Sequence, residues 1–222
     1  MIAVIVPIYN TEKYLRETID SVICQTLSFA EHIRLILLDD ASTDGSFAIC
    51  EQYQKQYPKQ IVVKHYDTNQ GVSALRNEGV RIAGEMGDEL ITFLDSDDKL
   101  ADDAMEKAVQ YFDAHEDVFV AAIGIRYFDA YEGEQRLNWR FEKTDVVDIK
   151  KDYTYPHYYV GGVFLRHAVL DELHFDESLS FWEDALAVNQ VIVSQGKYGL
   201  IAGTHYYYRK REDESSLVDT AW

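Results

Sequence analysis

The sequence is poor in residues that cross-link or interrupt a chain. Its 222 residues include two cysteines and three prolines. Cys24 and Cys50 lie in apolar stretches without a pairing pattern, so we expect buried free thiols in a reducing compartment. No apolar run approaches the ~18 residues needed to span a bilayer, and the apolar N-terminus lacks the basic start of a secretory leader. We therefore expect a cytoplasmic protein without a transmembrane segment, which leaves open peripheral docking at the inner face of the membrane.

Positive charge is also scarce. Lysine and arginine total 21 against 39 aspartates and glutamates, which gives a net charge of -18. A nucleic-acid-binding protein needs a basic surface, so this balance excludes DNA and RNA as expected partners. A phosphate-containing ligand could bind only with the help of a cation or of local donors. The hydrophobic fraction of 47% indicates a sizeable folded core rather than disorder.

Short apolar runs alternate with amphipathic stretches through the first part of the chain. The runs predict strands, and the stretches between them predict helices. The predicted strands cover 2–8, 33–38, 61–66, 90–94 and 118–125, and the helices include 72–86 and 101–115. This alternation predicts an α/β fold with a mostly parallel central sheet and helices on both faces.

The rhythm changes after residue 126. Residues 127–159 fit short antiparallel strands or loops, and 163–173 fit a strand followed by a helix. A helix over 183–195 and a strand over 200–208 complete the prediction. We expect one domain over 1–222, made of an N-terminal half (1–125) and a C-terminal half (126–222) with a small antiparallel part.

Acidic residues cluster where predicted strands end. Asp39 and Asp40 follow the second strand, and Asp95 and Asp97 follow the fourth. Ligands of open α/β sheets bind outside the carboxyl ends of the strands. If the chain stays extended, Asp95 and Asp97 point to the same side and repel each other without a cation, for which Mg²⁺ or Mn²⁺ is suitable. The alternative, that these are ordinary turn and cap residues, stays open.

Several segments together resemble family 2 glycosyltransferases. VIVPIYN, LLDDASTDGS, NQGVSALRNEGV and ITFLDSDD occur in the order and spacing of that family, closely over residues 2–100. The resemblance continues more loosely through HFDESLSFWEDALAVNQVI and HYYYRKREDESSLV. It implies a GT-A fold and an inverting enzyme that moves one sugar from a nucleotide-diphospho-sugar, most commonly UDP-linked. The implied acceptor is a hydroxyl of a saccharide or lipid-linked saccharide in polysaccharide or glycoconjugate biosynthesis.

The resemblance implies a donor site in the N-terminal half. The nucleotide-binding residues would be Pro7, Tyr9, Asn10, Asp39, Asp40, Asn69, Gly71, Arg76, Asp95 and Ser96. Asp97 would be the direct ligand of a Mg²⁺ or Mn²⁺ ion that bridges the diphosphate, with Asp95 at the ribose or the metal shell. Asp39 can accept a hydrogen bond from a base N–H, and Tyr9 offers a ring for stacking. Tyr9 as a core aromatic and Arg76 as a surface arginine remain alternatives, and Asp98 is expected to cap the next helix.

In the C-terminal half the resemblance implies the acceptor site. Asp184 matches the position of the catalytic base, which takes the proton of the attacking hydroxyl. Trp182, Glu183, His205 and Arg209 would contact the acceptor or the diphosphate. The alternatives are that the acids only favour a helix N-terminus, that Trp182 packs in the core and that His205 is structural.

Three other interpretations remain. An inactive nucleotide-sugar-binding or scaffold protein could share this fold, but Asp95, Asp97 and Asp184 argue against loss of activity. A phosphoacceptor receiver domain would place its acidic pair after the first strand. A nucleotidylyltransferase would have a glycine-rich N-terminal loop, which is missing. Slow hydrolysis of a donor in the presence of Mn²⁺ would separate an enzyme from a scaffold.

Overall fold

The structure, a computed structural model, describes residues 1–152, 157 and 159–211. Its strands are β1 (Ile2–Ile8), β2 (Ile33–Asp39), β3 (Ile61–His65), β4 (Leu90–Phe93), β5 (Lys99–Leu100), β6 (Val120–Asp129), β7 (Gly133–Glu134), β8 (Asp145–Asp148), β9 (Val163–Arg166) and β10 (Lys197–Lys210). Its α-helices are α1 (Glu12–Ile23), α2 (Phe29–His32), α3 (Ser46–Gln56), α4 (Val72–Glu85), α5 (Ala104–Ala114) and α6 (Glu183–Gln195). Two 3₁₀ helices cover Asn138–Phe141 and His167–Glu172.

These strands form one sheet in the order β3-β2-β1-β4-β9-β6-β10-β5, with β7 beside β6 and β8 beside β10. The pairs β2–β3, β1–β2, β1–β4 and β6–β10 are parallel. Strand β9 runs antiparallel to both of its neighbours, β4 and β6. The predicted sheet is confirmed in its mostly parallel pairing. The antiparallel strands come mainly from the C-terminal half, and β5 of the N-terminal half also pairs antiparallel with β10.

Both faces of the sheet are buried. Along β1, Val4 and Val6 point into the core beneath α1, α3 and α5, whereas Ala3 and Ile5 point into the core beneath α4 and α6. Because successive side chains of a strand face opposite sides, a strand covered on both faces must be apolar throughout. This double burial explains the unbroken apolar runs of β1 and β2, and it confirms helices on both faces.

Helix α4 lies unusually close to β1. A Cβ atom on Gly79 would overlap the side chain of Ile5, so only a residue without a side chain fits at this crossing. Gly84, later on the same helix, has space: its nearest neighbour would be Leu170 Cδ1 at 4.0 Å. The contact at Gly79 sets the height of α4 above the sheet.

Two expectations from the sequence, on Cys24 and on the start of α5, differ from the structure. Cys24 is exposed, because it is the residue at which α1 ends, so the expectation of two buried thiols is wrong for it. Cys50 is buried, and its burial raises the pKa of the thiol to about 12. Helix α5 begins at Ala104 rather than at residue 101, because β5 precedes it and pairs with β10. The helix predicted after β9 is present and is a 3₁₀ helix.

No helix within the described part of the chain is both long and apolar enough to cross a bilayer. The expected cytoplasmic location stays a prediction.

Candidate functional site

The carboxyl ends of β1, β2 and β4 meet at one edge of the sheet. Since these strands are parallel neighbours, the residues that follow them are brought together. Tyr9 follows β1, Asp39 ends β2, and Asp95 lies two residues after the end of β4. Pro7 is buried within β1, whereas Tyr9 is 52% exposed at the rim. The alternative that Tyr9 is a core aromatic is therefore wrong.

Asp39 is fully buried and has one carboxylate oxygen to spare. Its Oδ2 atom accepts a hydrogen bond from the Ser42 backbone N–H (3.2 Å) and lies 2.7 Å from Nδ1 of His65. Its Oδ1 atom has no hydrogen-bond partner among the described residues. Buried polar atoms are nearly always hydrogen-bonded, so this oxygen is an unsatisfied acceptor, and its contact with a nucleobase stays a prediction.

His65 was not singled out from the sequence. It ends β3 directly opposite Asp39 in the parallel register, and the ring of Phe47 stacks on it at 4.2 Å. In the sequence, His65 is marked only by its position at the end of a predicted strand. Recognising that it lies beside Asp39 requires knowing that β3 pairs with β2.

Asp40, in contrast, has both oxygens engaged. Oδ1 accepts a hydrogen bond from the Gln70 N–H (2.6 Å) and Oδ2 accepts one from the Gly71 N–H (2.9 Å). The Asn69 side chain donates to the Asp40 carbonyl (3.4 Å), and Gly71 has a positive φ of 88° just before α4. These residues build the loop that leads into α4, and a role of Asp40, Asn69 or Gly71 at the nucleotide stays a prediction.

Asn10 also shapes the rim. Its backbone N–H donates to Ser42 Oγ (3.0 Å), and its Oδ1 accepts a hydrogen bond from the Thr43 N–H (2.8 Å). This pair of contacts ties the end of β1 to the turn after β2, and so holds Tyr9 and Asp39 at one site.

The acidic segment after β4 contains three aspartates with different environments. The Asp95 side chain is 38% exposed and accepts a hydrogen bond from Arg76. Asp97 Oδ2 accepts two hydrogen bonds from the Arg211 guanidinium, at 2.6 and 3.0 Å. Between them, Ser96 is buried, and its carbonyl accepts a hydrogen bond from Thr18. The two predicted cation ligands are therefore the members of this segment closest to solvent.

Asp98 does not cap a helix, and that expectation is wrong. Its Oδ1 accepts a hydrogen bond from the Arg209 N–H, and its Oδ2 accepts one from the Tyr206 hydroxyl, both at 2.7 Å. The Tyr206 oxygen in turn accepts a hydrogen bond from the Asp95 N–H (3.1 Å). Burial raises the pKa of Asp98 well above its ordinary value, and the charges of Asp97 and Asp95 act in the same direction. Asp98 thus anchors the acidic segment to β10.

The pair Asp95 and Asp97 is the predicted ligand set for a divalent cation. Burial raises the pKa of Asp97, and the charge of Asp95 raises it further, whereas Arg211 opposes the rise. A cation between them would relieve this repulsion. In the described ranges, no group of three or more histidine, cysteine, aspartate or glutamate side chains could hold a metal. Two carboxylates suit Mg²⁺, which commonly takes its remaining ligands from substrate phosphates and water.

Arg76 is buried between the two halves of the chain. Its Nη2 donates to Asp95 Oδ1 (3.1 Å) and its Nη1 donates to Glu183 Oε1 (2.9 Å). The guanidinium carbon lies 5.5 Å from the ring centre of Phe175. Because Arg76 is only 5% exposed, the alternative of a surface arginine is wrong. The contact of Arg76 with base or phosphate stays a prediction.

Asp184 lies in the first turn of α6. Its Oδ1 accepts a hydrogen bond from the Ala185 N–H (2.7 Å) and its Oδ2 accepts one from the Val160 N–H (3.3 Å). Burial raises the pKa of its carboxyl; Arg76 opposes this effect and Glu183 adds to it. Trp182, just before the helix, is 52% exposed, so its alternative as a core residue is wrong.

Arg209 on β10 supports the acidic segment through contacts with several parts of the chain. Its guanidinium donates to the Asp97 carbonyl (2.6 Å), to Asp129 (2.7 Å) and to Glu17, and it lies over the rings of Tyr14 and Phe128. The sequence prediction names Arg209 at this site and not Arg211, but it is Arg211 that contacts the Asp97 carboxylate. The predicted phosphate contact of Arg209 stays a prediction.

His205 is half-buried elsewhere on β10. Burial lowers its pKa, and the charged groups that act on it are Arg126, Glu134, Asp103 and Lys107. None of these belongs to the acidic segment after β4, so the described contacts do not bring His205 to the predicted cation ligands.

The sequence model of glycosyl transferase family 2 matches residues 3–174. The chain is 43% identical over 224 residues to the minor teichoic acid biosynthesis protein GgaA of Bacillus subtilis, covering 100% of this chain and 50% of GgaA. It is 40% identical over 223 residues to GgaB of the same organism, covering 99% of this chain and 24% of GgaB. The chain therefore spans half or less of the length of these two relatives.

Among solved structures, S. aureus TarS (residues 1–349, with UDP-GlcNAc) is similar to this chain with a TM-score of 0.84 and 25% identity. The match covers 100% of this chain and 61% of that one. This likeness confirms the GT-A fold that the resemblance implied. With the family match over most of its length, the chain belongs to glycosyl transferase family 2.

Proposed function

We propose that this chain is an inverting glycosyltransferase that moves a sugar from a UDP-linked donor to a hydroxyl of a teichoic acid or a related cell-surface polysaccharide. One observation carries the proposal: Asp184 of the C-terminal half and Asp95 of the N-terminal half lie in one charge cluster around Arg76. A glycosyltransferase needs the carboxylates of its donor-binding site and the base of its acceptor-binding site to lie at the same reacting centre. The teichoic acid class is supported by the name of GgaA, and the UDP-linked donor by the ligand of the TarS structure.

In the proposed reaction Asp39 binds the nucleobase end of the donor and Asp184 acts at the sugar end. Asp39 accepts a hydrogen bond from the nucleobase through its free Oδ1, next to the exposed ring of Tyr9. Asp184 takes the proton of the acceptor hydroxyl while that oxygen forms a bond to the anomeric carbon. The bond from this carbon to the diphosphate oxygen breaks, and the nucleoside diphosphate leaves from the opposite face, which inverts the configuration.

A divalent cation is part of the proposal. Asp97 and Asp95 would hold Mg²⁺ or Mn²⁺, and the ion, when bound, would neutralise charge on the leaving diphosphate. The likeness to GalNAc-T7, whose structure contains UDP and Mn²⁺, supports the fold alone at 16% identity. Arg211 contributes a second positive charge at this position, since its guanidinium already contacts Asp97.

Asp184→Asn tests the proposal, because it keeps the shape of the side chain and removes the proton acceptor. With UDP-GlcNAc and other UDP-sugars, Mn²⁺ and water as the acceptor, we expect turnover to fall by roughly 10²–10⁴-fold. The Kd of UDP with Mn²⁺, measured by calorimetry, should stay at the wild-type value, because the nucleotide contacts lie in the other half.

Two results would contradict the proposal. If the wild-type chain binds UDP but hydrolyses none of the donors, the scaffold alternative is favoured. If Asp184→Asn turns over the donor at the wild-type rate, or Glu183→Gln loses as much activity, Asp184 is not the base.

A further inference from the structure

We propose that Arg76 and Glu183 are positioning residues that hold the Asp184 carboxylate at the reacting centre. Their ion pair fixes the first turn of α6, which belongs to the C-terminal half, against Asp95 in the N-terminal half. The inference rests on the proposed function, because it assigns roles to two residues that would serve the base. Three observations support it.

The first observation is that the pair is buried and incompletely satisfied. The side chains of Arg76 and Glu183 are 6% and 12% exposed. Arg76 Nε is buried and has no hydrogen-bond partner among the described residues. Taking two charges out of water costs free energy that their attraction often fails to recover, and an apolar pair of similar volume is commonly as stable. A contribution to stability therefore does not explain why a charged pair, and not an apolar one, is buried at this position.

The second observation is the geometry of the fork. Two nitrogens of one planar guanidinium reach the two acids, Nη1 to Glu183 and Nη2 to Asp95. A planar group with fixed donor directions sets both the distance and the angle between its partners. Arg76 belongs to α4, and its guanidinium lies near the ring of Phe175. The position of the guanidinium is therefore fixed independently of the two acids.

The third observation is the start of α6. Trp182 at the N-cap has a left-handed backbone (φ 66°), and among the described residues no side chain at this position caps the helix with a hydrogen bond. Asp184 is held by its neighbour Ala185 and by a long hydrogen bond of 3.3 Å from Val160. The ion pair made by Glu183, one residue before Asp184, ties this turn to the rest of the site. Glu183 is thus engaged with Arg76, and its role is to place the acid that follows it.

Glu183→Gln is the main test, since it removes the charge of Glu183 and replaces neither Arg76 nor Asp95. We expect kcat for donor hydrolysis with Mn²⁺ to fall about 10- to 100-fold, the loss expected for a misplaced catalytic group, while KM changes less than about twofold. Arg76→Lys, which keeps the charge but loses the fork, should lower kcat similarly. The kcat of the double variant should equal that of the less active single variant. Each single variant already removes the ion pair between Arg76 and Glu183, so the second substitution has no further contact of this pair to remove.

Arg81→Met is the matched control. Arg81 lies on the same helix and pairs with Glu78 and Glu85 on the exposed side, so kcat should stay at the wild-type value. Amide hydrogen exchange gives a readout that is independent of activity. Exchange over residues 183–187 should become faster in Glu183→Gln and in Arg76→Lys, and stay unchanged in Arg81→Met.

The inference is overturned if Glu183→Gln keeps the wild-type kcat, if the losses of the single variants multiply in the double variant, or if exchange over residues 183–187 does not change. A loss equal to that of Asp184→Asn would instead make Glu183 the base. An inactive wild-type chain contradicts the proposed function, whereas hydrogen exchange still decides whether the ion pair orders the helix start.

Discussion

The role of each aspartate at this site depends on how many of its oxygens the protein already uses. Asp40 and Asp98 each have both oxygens engaged by hydrogen bonds from the chain itself, whereas one oxygen of Asp39 has no partner in the part of the chain that the structure describes. The sequence predicts which aspartates follow strands, because apolar runs mark the strand ends. It cannot predict which oxygens are occupied, since the partners come from loops and strands far along the chain, such as β10 for Asp98.

Asp39→Asn tests whether the free oxygen binds the nucleoside. The variant replaces a charged acceptor by an amide, so UDP binding with Mn²⁺ should weaken by about 1–3 kcal/mol, which is about 5- to 150-fold in Kd. Calorimetry with inorganic pyrophosphate is the control and should show no change. An equal loss for pyrophosphate would mean that Asp39 acts on the diphosphate or on the fold instead.

His157 leads to a prediction about acid stability. It is fully buried, both ring nitrogens lack a hydrogen-bond partner among the described residues, and burial, with Arg140 nearby, lowers its pKa to about 3. In the unfolded chain the pKa returns to about 6.5, so between these values only the unfolded state takes up the proton. The free energy of unfolding should therefore fall as the pH falls from about 6.5 towards 3, by up to about 1.4 kcal/mol per pH unit from this residue.

Urea denaturation of His157→Phe at several pH values measures this contribution. Between pH 6 and 4 the variant should lose less stability per pH unit than the wild type does. His32→Gln is the control for replacing a histidine, because the His32 side chain is exposed. Equal slopes in the wild type and His157→Phe would contradict the prediction.

At the scale of elements, burial on both faces made the parallel strands predictable. β1 and α6 occur at the predicted bounds, because β1 is apolar at every position and α6 begins with acids and ends before a glycine. The short strands were harder to predict. β5 has two residues and exists because β10 pairs with it, and such a partner is not visible in local sequence. Whether these short strands form depends on pairing with a strand far along the chain and not on the strand propensity of their own residues.

Gly79→Ala tests the close approach of α4 to β1. The added methyl group would meet Ile5, and overpacking of this kind costs about 1–3 kcal/mol, of which the better helix propensity of alanine recovers up to ~1 kcal/mol. Gly84→Ala is a matched control on the same helix, where the space is open, and should be neutral or stabilising. Thermal or urea denaturation would show the contrast, and equal stability of the two variants would refute a tight contact at Gly79.

At the scale of the whole molecule, the sequence correctly indicated a mostly parallel sheet but not its strand order. The N-terminal half supplies β1 to β4 in a continuous parallel array, as the alternation predicts. It does not predict that β9 enters between β4 and β6, because a four-residue strand with three apolar side chains carries no information about its neighbours. The two halves therefore share one sheet, and the cluster around Arg76 lies where they meet.

The insertion of β9 has a consequence for how the chain folds as it is synthesised. Strand β6 leaves the ribosome before β9, so the place between β4 and β6 stays unfilled until residues 163–166 emerge. Until then both strands expose unpaired edges, which readily join other chains. A fragment of residues 1–125 should aggregate rather than form a stable monomer, whereas the chain through residue 211 should refold. Sedimentation of the two fragments after dilution from urea would test this order of assembly.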